Sequence, residues 1–249
     1  TMALPLFAIV FTRYLHYFIE LEPWQEILVK GLFIFSLTTV NILGVKLGGR
    51  VNDVLTIIKL SPLVLVIVLG FVFLTYNPEK LVQNYSPIAP LGWENFGSAL
   101  VLIFWAYAGF EMGTLPASEV KNPKRVIPKA IVVGMILVIL FYLLTNFVLY
   151  GSINWVELSH SALPLVLVGT LVIGYVGGMI VSFGALASVS GASSSFVLGI
   201  SRLSYAMSSE GLFPKIFSKV HPKYKTPYVA LIIQGIAAFF LSIYGGISQ

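Results

Sequence analysis

Long apolar runs alternate with short polar connections along the whole chain. Seven of these runs have about the 20 residues that a helix needs to cross the hydrocarbon core of a bilayer. They cover residues 1–19, 25–45, 52–76, 96–115, 129–150, 163–190 and 227–247. The pattern predicts an all-α integral membrane protein, with about seven spans in one transmembrane domain over residues 1–249.

Composition agrees with a membrane protein. Hydrophobic residues make up 57% of the 249 residues and charged residues only 10%, whereas a soluble domain carries about 25% charged residues. The mean hydropathy is +0.93. The chain has no cysteine, which excludes disulfides and thiolate metal sites. Residues 1–4 lack the features of a signal peptide and resemble a helix interior, and Gln249 comes just after another span, so we expect a fragment of a longer protein.

The positive charges predict the orientation in the membrane. With seven spans, loops 46–51, 116–128 and 201–226 share one side, and loops 20–24, 77–95 and 151–162 share the other. The first set and its flanks hold eleven of the fifteen Lys and Arg residues: Lys46, Arg50, Lys121, Lys124, Arg125, Lys129, Arg202, Lys215, Lys219, Lys223 and Lys225. Basic loops face the cytoplasm, so the net charge of +5 needs no nucleic-acid partner to explain it.

The stretch from Phe104 to Ala130 carries the main candidate chemistry. Glu111 lies among small residues in the lower half of the predicted span 96–115. A carboxylate in hydrocarbon is costly unless it faces protein or water, and backbone unwinds at that depth only beside a cavity. The pattern therefore favours a broken helix that lines a site. The alternative is close helix packing through the spaced glycines Gly109 and Gly113, which leaves the acid unexplained.

Two interpretations are open for Lys59. It lies about seven residues into span 52–76, roughly 10 Å deep at 1.5 Å per residue. Its long side chain can snorkel back to the cytoplasmic interface. Alternatively, it faces a cavity and exchanges a proton. Pro62 frees a backbone carbonyl one turn back, which favours a polar interior.

Span 163–190 ends in a run of serines. Five of the eight residues from Ser188 to Ser195 are serine. Serines in membrane helices often bond their own backbone, but this density favours a polar face towards a cavity.

Several motifs resemble one transporter family. FWAYAGFE (104–111) with EVKNPKR (119–125) and IPKA (127–130) is similar to the sixth helix and following loop of the amino acid–polyamine–organocation transporters. SR...AMSSEGLFP (201–214) is similar to the segment after the family's eighth helix, and Val51–Lys59 with Pro62–Leu63 to its fifth. The resemblance implies a five-plus-five inverted-repeat (LeuT-like) bundle, of which this chain covers family helices three to nine, with substrate held at mid-membrane by broken helices.

The resemblance also implies roles for individual residues. Glu111 corresponds to a family acid associated with gating, and Lys59 to a lysine that replaces a sodium ion in proton-coupled members. Trp105 corresponds to the aromatic residue that covers the substrate. Ala106, Tyr107, Ala108 and Gly109 match the unwound backbone that receives the substrate's amino group or side chain. Phe196, Ser190, Ser193 and Ser194 fall where the eighth helix lines the site. The family's first helix, which binds the substrate carboxylate, is absent from this chain.

The expected function is secondary active transport of amino acids or related amines by alternating access in the cell membrane. Protons are the expected coupling ion, and an exchanger without proton coupling is the alternative. A seven-helix receptor with a retinal lysine is disfavoured because the last span has no lysine. An enzyme is disfavoured because there is no HExxH motif or nucleophile elbow, and His16, His160 and His221 lie near or outside the interfaces. No cofactor or metal is expected. The partners are a small-molecule substrate, protons and the lipid bilayer.

Overall fold

The computed structural model describes the backbone of residues 3–43, 45–87, 89, 91–107, 109 and 120–247. Side chains are described for the same residues except 45–57, 59, 105 and 245–247. Every regular element in this part of the chain is helical. The helices are α1 (Ala3–Leu15), α2 (Pro23–Leu43), α3 (Val45–Tyr76), α4 (Pro78–Tyr85), α5 (Phe96–Trp105), α6 (Pro123–Ser152), α7 (Trp155–His160), α8 (Pro164–Ile173), α9 (Tyr175–Ser209), a short 3₁₀ helix (Lys215–Ser218) and α10 (Tyr228–Ile247).

Three of the described helices, α2, α6 and α9, are long and apolar enough to cross a membrane. A fourth span results if Leu60–Tyr76 and α4, which meet at a bend of 99°, are counted together. α1, α8 and Tyr228–Tyr244 of α10 are shorter apolar helices. Large aliphatic side chains on α6 are open to the surroundings, such as Ile136 (60% exposed) and Leu143 (65%). An apolar surface of this kind is what lipid covers. The count of seven spans stays a prediction.

Some helices extend beyond the apolar runs that predict them. The backbone of Lys46–Arg50, expected as a loop, belongs to α3, and residues 201–209, expected outside the span, continue α9. Residues 123–128, expected in a loop, form the first turns of α6. Asn122, at φ 54°, precedes Pro123, which takes the first helical position. Proline fits there because the N–H that it lacks would have no partner within the helix. Hydropathy marks the part of a helix inside hydrocarbon, so it misses turns that project into water.

The predicted span 163–190 is divided in two. α8 ends at Ile173, and α9 begins at Tyr175. Gly174 between them has φ 78°, a conformation that glycine adopts without steric cost. The two helices then meet closely, because a Cβ on Gly177 would collide with the carbonyl of Gly169. Hydropathy is continuous across this break, so the apolar pattern could not locate it.

The chain forms two compact units. Unit 1 comprises Thr1–Ser61 and Ser182–Gln249. Here α10 packs on α1 and α2, which also pack on each other. The core cluster contains Leu4, Ala8, Phe33, Ile34, Leu37, Val197, Leu231 and Ala238. Two polar contacts fix the ends of helices: the Thr226 hydroxyl donates to Ile42 O at 2.8 Å, and His16 Nε2 lies 2.9 Å from a carboxylate oxygen of Glu26.

Unit 2 comprises Pro62–Val181. α4 and α8 both pack against α6. The Asn84 amide donates to Gly151 O at 3.0 Å, and the Tyr85 hydroxyl donates to Phe147 O at 3.2 Å. The Phe147 ring stacks on Phe71 with 5.4 Å between centroids. These contacts attach the segment after α3 to the C-terminal half of α6.

The close approach of α8 and α9 generates a stability prediction. Gly177→Ala should destabilise the protein by roughly 1–3 kcal/mol, as overpacking typically does, because the added methyl meets the Gly169 carbonyl. Thermal unfolding of the purified protein in detergent measures the effect. Gly97→Ala is the matched control: Gly97 lies in helix α5, and no atom of the described part of the chain comes within 4 Å of an added Cβ, so its Tm should hold or rise. Equal Tm values for both variants would contradict the packing at Gly177.

Candidate functional site

Regular helix stops at Trp105, in the middle of the predicted span 96–115. The amide of Ala106 donates to Ile103 O at 2.9 Å, and that of Tyr107 donates to Phe104 O at 3.1 Å. These tighter bonds, to the third residue back, close the last turn of α5. Gly109 follows with φ 111°, which residues with a side chain rarely adopt. Ala106, Tyr107 and Gly109 therefore lie in a turn, within a stretch whose hydropathy is that of a membrane helix.

Tyr142 of α6 holds this turn. Its hydroxyl donates to Ala106 O at 3.2 Å. Its ring meets the ring of Tyr107 edge to face, with 5.5 Å between centroids, a favourable aromatic geometry. One side chain thus provides a donor for a carbonyl released by the helix end and a packing surface for the next residue. Because Ala106 is exposed and Tyr107 is half-buried, the turn is accessible rather than enclosed.

The end of α5 has a definite electrostatic character. The last carbonyls of a helix have no partners within it and carry the negative end of the helix dipole. A cation such as a substrate ammonium is stabilised beside such an end, and broken membrane helices place their C-terminal carbonyls at ion and substrate sites in this way. The arrangement can bind an amino group through backbone oxygen atoms.

Four predicted site residues lie wholly or partly outside the described residues. Ala108 and Glu111 lie outside the described residues. Trp105 and Lys59 have described backbones, at the end of α5 and within α3, but their side chains are not described. Their predicted roles therefore stay predictions. Among the described residues, no group of three or more His, Asp or Glu side chains could hold a metal ion.

The predicted serines lie on α9 in unit 1. Ser190 donates to Leu186 O at 2.7 Å and Ser193 donates to Val189 O at 2.6 Å. Both hydroxyl protons are thus used within the helix, as the backbone-bonding alternative predicts. Ser193 is fully buried and Ser190 half-buried. Each oxygen keeps lone pairs that can accept a proton donor or coordinate a cation.

Ser194 has a partner that the sequence interpretation did not give it. Its hydroxyl oxygen lies 3.4 Å from the amide nitrogen of Asn41 on α2, which also donates to Leu37 O at 2.9 Å. Asn41 is 1% exposed, and its carboxamide oxygen has no hydrogen-bond partner among the described residues. Phe196, one turn beyond Ser193, is half-buried and meets Phe7 of α1 edge to face at 6.3 Å.

Sequence reasoning missed Tyr142 as a partner of the turn and Asn41 as a partner of Ser194. A signal for Asn41 was present, because it is the one strongly polar residue inside an otherwise lipid-compatible span. Tyr142 gave no comparable signal, since a tyrosine in an apolar helix is ordinary. Only the packing of α6 beside the end of α5 identifies it.

The apolar helices and the interrupted span define the class: this is a multi-pass membrane protein with the features of a transporter. Residues 1–248 match the family described as Amino acid permease. The chain belongs to this amino acid permease family, within the amino acid–polyamine–organocation transporters, which confirms the resemblance seen in its motifs.

Three curated relatives from Bacillus subtilis (strain 168) illustrate the family. The chain is 32% identical to the branched-chain amino acid permease BcaP, over 81% of this chain and 44% of the relative. It is 30% identical to the methylthioribose transporter, over 85% and 46%. It is 29% identical to the serine/threonine exchanger SteT, over 90% and 51%. The chain thus spans about half the length of these relatives, and all three are named as transporters rather than enzymes.

The hydrogen bond from Tyr142 to the turn generates a second prediction. Tyr142→Phe removes only the hydroxyl group and keeps the ring beside Tyr107. Because one hydrogen bond contributes about 1 kcal/mol net, the amides of Ala106 and Tyr107 should exchange about fivefold faster. Hydrogen–deuterium exchange of the protein in lipid nanodiscs measures this.

The matched control is Tyr150→Phe. Tyr150 lies on the same helix, and its hydroxyl makes no hydrogen bond to any described residue. Exchange at residues 104–107 should not change in this variant. Equal exchange in the Tyr142 variant and the unmodified protein would show that Tyr142 does not hold the turn.

Proposed function

We propose that the full protein, about half of which this chain represents, is a secondary active transporter for amino acids or related amines that works by alternating access. The observation that carries the proposal is the end of α5: a helix stops inside an apolar span, and the Tyr142 hydroxyl bonds Ala106 O in the turn that follows. Family membership supports the substrate class, since two of the relatives described above are named for amino acids.

The proposed fold is the five-plus-five inverted-repeat bundle, with seven spans in this chain. In such folds a rigid set of helices and a moving set alternate around a site at mid-membrane. The helical character of every described element and the interruption after Trp105 support this assignment. Transport then requires the segments that the longer relatives possess beyond the matched half.

Within unit 2 we assign substrate contact to the turn after α5. Backbone oxygens of Ala106 to Gly109 receive the substrate's amino group, Trp105 covers the substrate, and Glu111 acts in gating. The negative end of the α5 dipole supports the first assignment, because it favours an ammonium over a neutral group. The roles of Trp105 and Glu111 come from the family resemblance.

Within unit 1 we assign coupling to Lys59 and to Ser190, Ser193 and Ser194 of α9, and substrate contact to Phe196. The lone pairs left on the buried serine oxygens support a role beside a cation or proton. A lysine that exchanges a proton alternates between charged and neutral forms, and ionisable residues inside membrane segments commonly serve as proton relays. This is the physical basis of the proposed proton coupling.

Exchange without proton coupling is the second candidate. The observation that favours it is the serine/threonine exchanger SteT, which matches 90% of this chain. An exchanger changes back to its outward-facing state only with substrate bound, so it needs substrate on both sides of the membrane. A proton-coupled transporter changes back without substrate. The two candidates therefore differ in what drives uptake.

The proposed orientation places loops 46–51, 116–128 and 201–226 in the cytoplasm of a cell-membrane protein. Thr226 bonds Ile42 O, which supports placing the end of α2 and the start of α10 on one side. Asn84 bonds Gly151 O, which supports placing loops 77–95 and 151–162 together on the other.

Uptake by the full-length protein in proteoliposomes tests the proposal. Labelled amino acids, polyamines and methylthioribose are offered with and without an inward proton gradient. We expect saturable amino acid uptake that the gradient raises, and Lys59→Ala should lose that increase because it removes the titrating group.

Lys124→Ala is the control, since it removes a lysine from the first turns of α6 and should leave the gradient effect intact. Uptake that requires internal amino acid and ignores the gradient would establish the exchanger. No uptake or counterflow of any amino acid or amine would overturn the substrate class.

A further inference from the structure

We infer that unit 2 contains a second binding site, for a zwitterionic amino acid with an aliphatic side chain, separate from the end of α5. The site is a cleft of about 420 Å³ between α4, the end of α6, α7 and α8. This volume lies in the range of small-molecule sites, roughly 300–1,000 Å³. Most of its wall residues lie in 77–95 and 151–162, the two loops proposed to face the outside.

Two opposite charges line this one cleft without pairing. Lys80 of α4 and Glu157 of α7 are both wall residues. Among the described residues, neither has an ion-pair partner within 4 Å. The Lys80 ammonium instead lies 5.5 Å from the centre of the Phe73 ring. A ligand with a carboxylate at one end and an ammonium at the other can satisfy both charges at once, which a plain anion or cation cannot.

Polar groups in the cleft wall have unused capacity. The Asn84 amide nitrogen donates to Gly151 O, which leaves its carboxamide oxygen as an acceptor. The Asn154 oxygen accepts from the Val156 amide at 2.9 Å, which leaves its NH₂ group as a donor. Ser152, also in the wall, is 2% exposed, and its hydroxyl has no partner among the described residues.

The rest of the wall selects the side chain of the ligand. Ile153, Leu167 and Leu171 add aliphatic surface to the cleft, which favours an apolar group over a charged one. The pattern of charges points to a zwitterion, and the choice of an amino acid among zwitterions rests on the proposed function. A site here binds substrate on the proposed outer side of the protein before the substrate enters the transport pathway.

Cysteine protection in intact cells tests the site, because the chain itself has no cysteine. Gln83→Cys introduces a thiol in the cleft wall, and a membrane-impermeant maleimide is added outside. We expect labelling that L-leucine slows. 3-Methylbutylamine, which lacks the carboxylate, and 4-methylpentanoate, which lacks the amino group, should not slow it.

Second substitutions in the Gln83→Cys protein test the charges. Lys80→Met or Glu157→Gln should raise the leucine concentration needed for protection by up to about fivefold, the upper limit for an exposed ion pair. Glu79→Gln removes an exposed α4 carboxylate that does not line the cleft and should change nothing. Val82→Cys, 69% exposed and also outside the wall, should be labelled without protection.

Each outcome decides a separate question when leucine uptake is measured in the same cells. Uptake without protection at Gln83→Cys overturns the cleft site and leaves the transport function. Protection without uptake supports the site and contradicts the transport function. Protection by the amine or the acid alone, or protection unaffected by Lys80→Met and Glu157→Gln, overturns the zwitterion assignment. Labelling only after the cells are permeabilised overturns the outward position.

Discussion

Hydrocarbon offers no hydrogen bonds to a backbone, so a helix that stops inside a membrane must find partners for its last carbonyls within the protein or its ligand. This constraint acts on α5, which ends at Trp105 in the middle of an apolar run. Tyr142 satisfies one of the freed groups, Ala106 O, and packs on Tyr107. The neighbouring carbonyls carry the negative end of the helix dipole. A substrate ammonium fits this need, and the proposed transport function follows from it.

The same constraint acts within each of the two units. Within unit 1 the hydroxyls of Ser190 and Ser193 bond their own helix, while Asn41 reaches from α2 to Ser194. Within unit 2 the broken span at Gly174 is stabilised by the close contact of α8 with α9 at Gly169 and Gly177. Polar groups are thus either used locally or shared between neighbouring helices. Where they stay unused, as in the cleft beside Ser152, the structure offers a place for a ligand.

The sequence motifs indicated the family. Hydrophobic patterning predicted the helical class and, through the acid among small residues within span 96–115, a break where α5 stops. It could not predict the break at Gly174, since the apolar run continues through it and only a φ of 78° interrupts the helix. It also missed the helical turns at residues 123–128, which lie beyond the apolar run. Tyr142 and the Asn41–Ser194 contact depend on which helices become neighbours, and that information is not local. The roles of Glu111 and Lys59 stay predictions.

Equilibrium binding of a labelled amino acid to the full-length protein, compared between Gly109→Ala and Gly97→Ala, tests the central claim most directly. Gly109 has φ 111°, and no atom of the described residues lies within 4 Å of an added Cβ, so alanine there changes the conformation of the turn without a clash with them. Strain of about 1–3 kcal/mol corresponds to a Kd increase of about fivefold to 150-fold, while Gly97→Ala should bind normally. Unchanged affinity in the Gly109 variant, with its fold intact, would show that the turn after α5 does not hold the substrate.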